Sequence, residues 1–167
     1  MTSEQAQQKS QEERWRRAPE LPPYVFDVLH KPDRAINPIT VVATVDTDGA
    51  PRTAPFGSLR AVTPRLLRMA CNQYHDTYAN LCRDGRVSVA LLAPPNIAVS
   101  IRGRARLVKE RMDTGEQLAV LEIDIEEVKN DMMRRGAIES AVGFAPPDEL
   151  RGFYVGAIAE IEDMGPP

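Results

Sequence analysis

The chain has 167 residues, a net charge of −3, 43% apolar residues and only 5% aromatics, with a pI near 5.5. That length suits one domain with a core of its own, built mainly from Val, Leu, Ile and Ala. The acidic balance implies no general attraction to nucleic acid or an anionic membrane, and no apolar run approaches the ~18 residues of a transmembrane helix.

The N-terminal stretch is polar, rich in Gln, Glu and Arg, and lacks the apolar region of a secretory signal. Residues 1–23 read as a tail, frayed or a surface helix, punctuated by "APELPP" (Ala18–Pro23). "YVFDVLHK" then predicts a short helix with Tyr24, Val25, Val28 and Leu29 along one face, ended by Pro32.

The middle of the chain reads as β. "ITVVATVDTDGAPRTAPFGSL" holds two β-branched runs split by Asp46-Thr47-Asp48-Gly49, a hairpin signal because glycine tolerates positive φ. "RLLRMAC" predicts a third strand. "HDTYANLCRDG" predicts a helix capped by Asp76 or Thr77 and stopped by Gly85. "RVSVALLAP" and "IAVSIRGRARLVKE" predict two more strands. In the second, Val99, Ile101 and Gly103 face one way while Ser100, Arg102 and Arg104 face the other. Arg102, Arg104 and Arg106 thus form a basic face, for which the acidic run Glu122–Glu127 is a candidate partner, the alternative being that each charged face is simply solvated. Residues from about 112 to 150 read as an acidic helical insert. "FYVGAIAEIEDM" alternates and predicts a closing strand.

Few constellations carry chemistry. There is no GxGxxG after a strand and no Walker sequence. Neither His30 nor His75 stands in a metal-ligand motif, so a centre from His75, Cys71 and Asp76 lacks the required spacing and no metal is expected. The two cysteines, Cys71 and Cys82, imply no disulfide framework and read as reduced thiols in a cytoplasmic protein. Cys71 beside His75 offers a thiolate pair or a buried, inert thiol. The strand–turn–helix "CNQYHDTYANL" leaves two readings: a helix capped by its own side chains, or a helix N-terminus whose free N–H groups hold an anion.

The order "VVATVDTDGAPRTAPF", "RLLRMACNQYHDTYANLCRDGRVSVALL", "VSIRGRARLV" resembles the pyridoxamine 5′-phosphate oxidase-like split-barrel flavoproteins. The resemblance covers roughly Pro38 to Glu110, plus a closing strand near Phe153–Glu162. It implies a mainly β fold with helical additions, a six-stranded antiparallel split β-barrel; the single domain is read over residues 24–167, with the helical insert at about 112–150 outside the resemblance. It also implies a homodimer with flavin mononucleotide (FMN) between the subunits. Carried over by position, Arg52 and Thr53 would face the phosphate and ribityl chain. Ala70, Cys71 and Asn72 would contact the isoalloxazine edge, and His75, Thr77 and Asn80 would frame the phosphate.

The sequence departs from the family where many members place basic residues, at Asp76 and Thr77. Loss of one charge-assisted hydrogen bond costs about 1.5–3 kcal/mol, so Arg52, Arg60 or Arg68 would have to supply the charge. The implied activity is an FMN-dependent oxidoreductase acting on a small-molecule substrate or electron donor. The alternative is a non-enzymatic module that binds flavin, deazaflavin or haem, or whose groove is vestigial. The arginine- and histidine-rich C-terminal signature of true pyridoxamine-phosphate oxidases is not visible.

Overall fold

The computed structural model describes residues 15–167; the rest of the expected polar tail, residues 1–14, lies outside the described residues. Eight antiparallel strands form one sheet: β1 Arg17–Ala18, β2 Thr40–Val45, β3 Pro51–Phe56, β4 Arg60–Thr63, β5 Leu66–Asn72, β6 Arg86–Ala93, β7 Ile97–Lys109 and β8 Leu118–Asn130. Three helices accompany them: α1 Pro23–His30, α2 Asp76–Arg83 and α3 Asp148–Asp163. The hydrogen-bonded path runs β3-β2-β6-β7-β8-β5-β4, with β1 paired to β8. Strands β3 and β4 are not joined, so the barrel is split, as expected, but it has eight strands rather than six.

Local chemistry sets the first half. Strand β2 alternates buried Thr40, Val42 and Thr44 with half-buried neighbours, the mark of a strand with one core face. It turns at Asp46–Gly49, where Gly49 adopts φ +85° and Asp48 Oδ1 accepts the Ala50 N–H at 2.9 Å. Helix α1 buries Val25 and Leu29, one turn apart, and packs on β4. Trp15 and Arg17–Ala18 belong to the fold: Trp15 donates its indole N–H to Tyr24 at 3.0 Å, and β1 extends the sheet.

Two expectations fail in the C-terminal third. The acidic segment read as helical contains β8, which pairs along both β5 and β7. Its Ile123, Ile125 and Val128 are buried while Asp124 and Glu126 are exposed, so the carboxylates mark the outer face of a strand. Residues 131–147 hold no helix or strand. The segment read as a closing strand is α3. Its alternation also satisfies helical spacing, since Ala157, Ile158 and Ile161 are the buried positions. Pro146-Pro147 followed by Asp148 and Glu149 is a helix start.

The basic face of β7 meets the acids of β8. Arg102 pairs with Glu127 at 3.0 Å, Arg104 with Glu126 at 3.5 Å, and Arg106 with Glu122 at 2.6 Å and Asp124 at 3.1 Å. The main core gathers Val42, Leu67, Met69, Val89, Ile101 and Leu121 among others. A smaller cluster, with Ala70, Met112 and Val120, seats Ala157 and Ile161 of α3.

One carboxylate ties α3 to the β7–β8 connection. Glu160 accepts from Lys109 Nζ at 2.8 Å, the Asp113 N–H at 2.7 Å, and the Thr114 N–H and hydroxyl at 2.9 and 2.7 Å. Burial alone would raise its pKa, but Lys109 and the two N–H donors outweigh it and hold the carboxyl at about 2. A carboxyl depressed in the folded state stabilises above its unfolded pKa, and the contribution fades as pH falls toward the folded value. Glu160→Gln is therefore expected to be less stable than the parent at pH 7. The gap should close as pH falls from about 4.5 toward about 2, as read from urea unfolding at each pH.

Candidate functional site

The residues singled out in the sequence converge on one region, where the β2–β3 hairpin, the end of β5 and the start of α2 meet. Antiparallel register sets Arg52 opposite Thr44 and Thr53 opposite Ala43. Pro51, Arg52 and Thr53 are exposed, while Ala54 turns into the core. Arg52 Nε donates to Asp46 Oδ2 at 2.7 Å and lies 3.6 Å from Asp76 Oδ2. Among the described residues the terminal nitrogens of Arg52 make no hydrogen bond, so its guanidinium is anchored at one edge and open at the other.

Asn80 is a clasp. Its Nδ2 donates to Thr44 Oγ1 at 3.0 Å and Asp46 Oδ1 at 2.8 Å, and its Oδ1 accepts from Arg83 Nη1 at 3.0 Å. Arg83 also donates to the Val45 carbonyl. These bonds join α2 to the hairpin and hold Asp46 below the usual carboxylate range, the Asn80 bond first and the Arg52 bond second. Asn80 is buried and fully engaged by protein partners.

The β5 residues divide. Ala70 is buried, with its carbonyl taken by the Ser58 hydroxyl at 2.8 Å. Cys71 is buried, and burial, then the nearby Cys82, pushes its thiol up to about 12. Of the two readings of Cys71, the inert thiol holds, since no appreciable thiolate exists near neutrality. Asn72 is exposed and shapes the turn: its Oδ1 accepts the Tyr74 N–H at 2.9 Å, and its carbonyl accepts the His75 N–H at 3.0 Å.

The cap of α2 is His75, neither Asp76 nor Thr77. Its Nδ1 accepts the Thr77 N–H at 3.1 Å, so the ring proton sits on Nε2 in the neutral form. One of the free N–H groups of the helix start is thereby used by the protein itself. The Phe56 ring meets the His75 ring edge-on, with centroids 5.8 Å apart. Thr77 is 1% exposed. The structure thus presents Arg52, Thr53, Asn72 and His75 to solvent and buries Ala70, Cys71, Thr77 and Asn80.

Two contributors were missed in the sequence. Asp46, read only as a turn residue, orients Arg52. The hairpin pairing that joins Asp46 and Ala50 could have revealed it, since it brings Asp46 beside the strand carrying Arg52. Tyr74 is 89% exposed at the tip of the turn; an aromatic in a polar turn before a capped helix was the available signal. Among the described residues, no cluster of three or more His, Cys, Asp or Glu could hold a metal ion, and no helix is long and apolar enough to cross a membrane.

Residues 34–131, more than half of the chain, match the family model described as pyridoxamine 5′-phosphate oxidase. The chain belongs to that family. The match takes in β2 through β8 and leaves α1 and α3 outside it. The family is one of flavin-binding, oxidoreductase-like proteins. Solved structures share the fold. A Lactobacillus delbrueckii protein provisionally described as a pyridoxamine 5′-phosphate oxidase is 23% identical, with a TM-score of 0.57 over 68% of this chain and 98% of that one. HupZ from Group A Streptococcus is 20% identical, with a TM-score of 0.55 over 74% of this chain and 99% of that one. An F420 reductase is 14% identical, with a TM-score of 0.54 over 66% and 100%. No curated protein matches the sequence.

Proposed function

We propose that this chain is an FMN-binding oxidoreductase that works as a cytoplasmic homodimer on a small-molecule substrate or electron donor. The observation that carries the reading is Arg52. It is exposed on β3, fixed at Nε by Asp46, open at its terminal nitrogens, and set beside the start of α2.

The exposed side chains suit such a ligand. Arg52 offers a fork of donors that fits a phosphate. The Thr53 hydroxyl and the Asn72 amide suit a polyhydroxylated chain. The Tyr74 ring, beside the β5 end, offers a flat apolar surface. A bound flavin supplies hydride and electron transfer, while the protein binds, orients and shields it. Here Asp46 and Asn80 keep Arg52 and α2 in fixed relation.

Asp76 works against an anion at this place, because its carboxylate lies 3.6 Å from Arg52 Nε and is largely exposed. Asp76→Asn is expected to tighten FMN binding by about two- to fivefold, the scale of one exposed charge pair, with little change for riboflavin. Fluorescence titration with both flavins checks this. Equal effects on both would show that Asp76 does not face the phosphate.

The same carboxylate, with the buried Thr77, favours a second reading: a module that holds flavin, deazaflavin or haem without turnover, or a vestigial groove. Purified protein, before and after incubation with FMN, separates the two. The first reading expects a visible flavin spectrum, a dimer in sedimentation, and oxidation of reduced nicotinamide by the loaded protein. Binding without turnover favours the second, and a colourless protein that takes up no flavin defeats the first.

A further inference from the structure

One copy of the chain carries too little positive charge around Arg52 for a phosphate. Arg52 stands among three carboxylates, Asp46, Asp76 and Asp48. Arg83 of α2 is engaged by Asn80 and the Val45 carbonyl. A phosphate monoester brings close to two further negative charges near neutrality. The exposed Arg52, Thr53, Asn72 and His75 also form only one wall, whereas a bound cofactor is mostly enclosed. A single copy therefore supplies part of a site.

Unused arginines stand elsewhere. Among the described residues, the side chains of Arg16, Arg111, Arg134 and Arg135 have no hydrogen-bond or ion-pair partner. Arg134 and Arg135 are adjacent and exposed, and belong to the irregular segment 131–147, beyond the family-matched residues. That segment is a fixed arm. The Asp131 N–H donates to the Ala98 carbonyl and the Ile138 N–H to the Pro95 carbonyl, both at 2.8 Å. The Ile39 N–H donates to the Val142 carbonyl at 3.0 Å, and the Asn37 amide bonds both backbone groups of Phe144. Residues 132–137 loop out between the first two anchors and carry the arginines. All the anchors lie where β2 and β7 begin and β6 ends. Arg52 stands opposite Thr44, five residues along the strand from Ile39 or about 17 Å away. An arginine of the arm does not span that distance to the Arg52 of its own chain.

Between these two ends the outer face of the sheet is uncharged. Val41 and Ala43 of β2, Ala90 and Leu92 of β6, and Ala98 of β7 alternate with buried residues and point outward. Register joins them: Val41 stands opposite Ala90, and Leu92 opposite Ala98. Thr53 stands opposite Ala43, so the face runs into the candidate site. Leu92 is 52% exposed, and Met133 and Val142 of the arm are 74% and 64% exposed.

Resting on the FMN-binding reading above, we propose that a second copy of this chain packs on this face, and that its Arg134 and Arg135 complete the phosphate site around Arg52. The two-fold axis lies in the interface and crosses the strands. It reverses strand direction, so the arm end of each copy overlies the Arg52 end of the other. The small side chains let the two faces approach closely, and Leu92, Met133 and Val142 leave water. Two cations then join Arg52 against Asp76, Asp48 and the phosphate, a complementarity that one copy alone lacks. Both sites of the dimer are completed in the same way.

Flavin titration of arm variants and mixed dimers tests the proposal. The double variant Arg134→Ala with Arg135→Ala alters only exposed, unpartnered side chains, so it should fold and sediment as the dimeric parent does. It should bind FMN roughly five- to tenfold more weakly, with riboflavin affinity little changed. Dimers that pair one Arg52→Ala subunit with one double-variant subunit, co-expressed with different tags, read whether the arm acts across the interface. One of their two sites keeps Arg52 and faces an intact arm, while the other lacks both. Half of the sites should therefore bind FMN with parent affinity. Leu92→Glu, at an exposed position, should give a monomer that binds FMN as weakly as the double variant. A monomeric parent, unchanged FMN affinity in the double variant, mixed dimers with no site of parent affinity, or a dimeric Leu92→Glu with parent affinity overturns the proposal and leaves FMN binding itself standing. A parent that takes up no FMN defeats both.

Discussion

Replacing Arg68 with alanine is expected to destabilise the fold by about 3–5 kcal/mol, the cost of leaving a buried charge without its partner. Arg68 lies on β5 at 2% exposure, and its partner Glu122 on β8 is nearly as buried. Both Nε and Nη2 donate to Glu122 Oε1, at 2.9 and 2.6 Å. The remaining donors reach the Ile161 and Gly165 carbonyls at 2.9 Å, which binds the end of α3 to the sheet. Alanine would strip Glu122 Oε1 of both its guanidinium donors, leave only Arg106 on Oε2, and release two carbonyls. Urea unfolding measures the loss. The double variant Arg68→Met with Glu122→Leu should recover much of it, because a buried pair can be exchanged for apolar packing at small cost. A loss below about 1 kcal/mol for Arg68→Ala would show that water reaches the pair.

Gly103→Val carries the second large effect. Gly103 sits on β7 at a register irregularity against β8. A Cβ there would press into the Asp124 carbonyl oxygen and lie 2.8 Å from Ile123 Cγ2. The first obstacle is backbone, so the longest strand pair in the sheet must part. Overpacking of this kind costs typically 1–3 kcal/mol and more where the backbone cannot yield, so the variant is expected at or beyond the upper end. Gly103→Ala should already cost a measurable part of it. Thermal unfolding and the yield of soluble protein read both; a valine variant as stable as the parent would contradict the close approach. Gly49→Ala provides a contrast, because nothing lies within 4 Å there and only its φ of +85° opposes a side chain.

Where local chemistry decides structure, the sequence was readable. The hairpin at Asp46–Gly49, helix α1, helix α2 and the alternation of β7 each rest on signals within a dozen residues. The pairing of the Arg102–Arg106 face with Glu122–Glu127 was also visible as charge, and the sheet register brings it about. The misreadings share one cause. In β8 the acids that suggested a helix face solvent and arginine from a strand. In α3 small apolar residues satisfy both periods, and the choice rests on Pro147 and the acidic first turn. Strand β4 went unseen because it is four residues long.

The candidate site was legible as a place and less so as a set of contacts. The eight residues do converge, but Thr77 and Asn80 are buried, and Asn80 serves the hairpin. Burial of a polar side chain depends on which element covers it, and here α2 lies against β2.

Arg52 and its neighbours are proposed to hold a flavin phosphate. Titration of FMN into the purified protein, followed by flavin fluorescence, tests it most directly when Arg52→Ala is titrated beside the parent. The parent should bind FMN saturably, and Arg52→Ala should weaken it roughly tenfold or more, the loss of one charge-assisted contact to the phosphate. Riboflavin affinity should change far less. No saturable binding by the parent, or the same FMN affinity in both proteins, would contradict it.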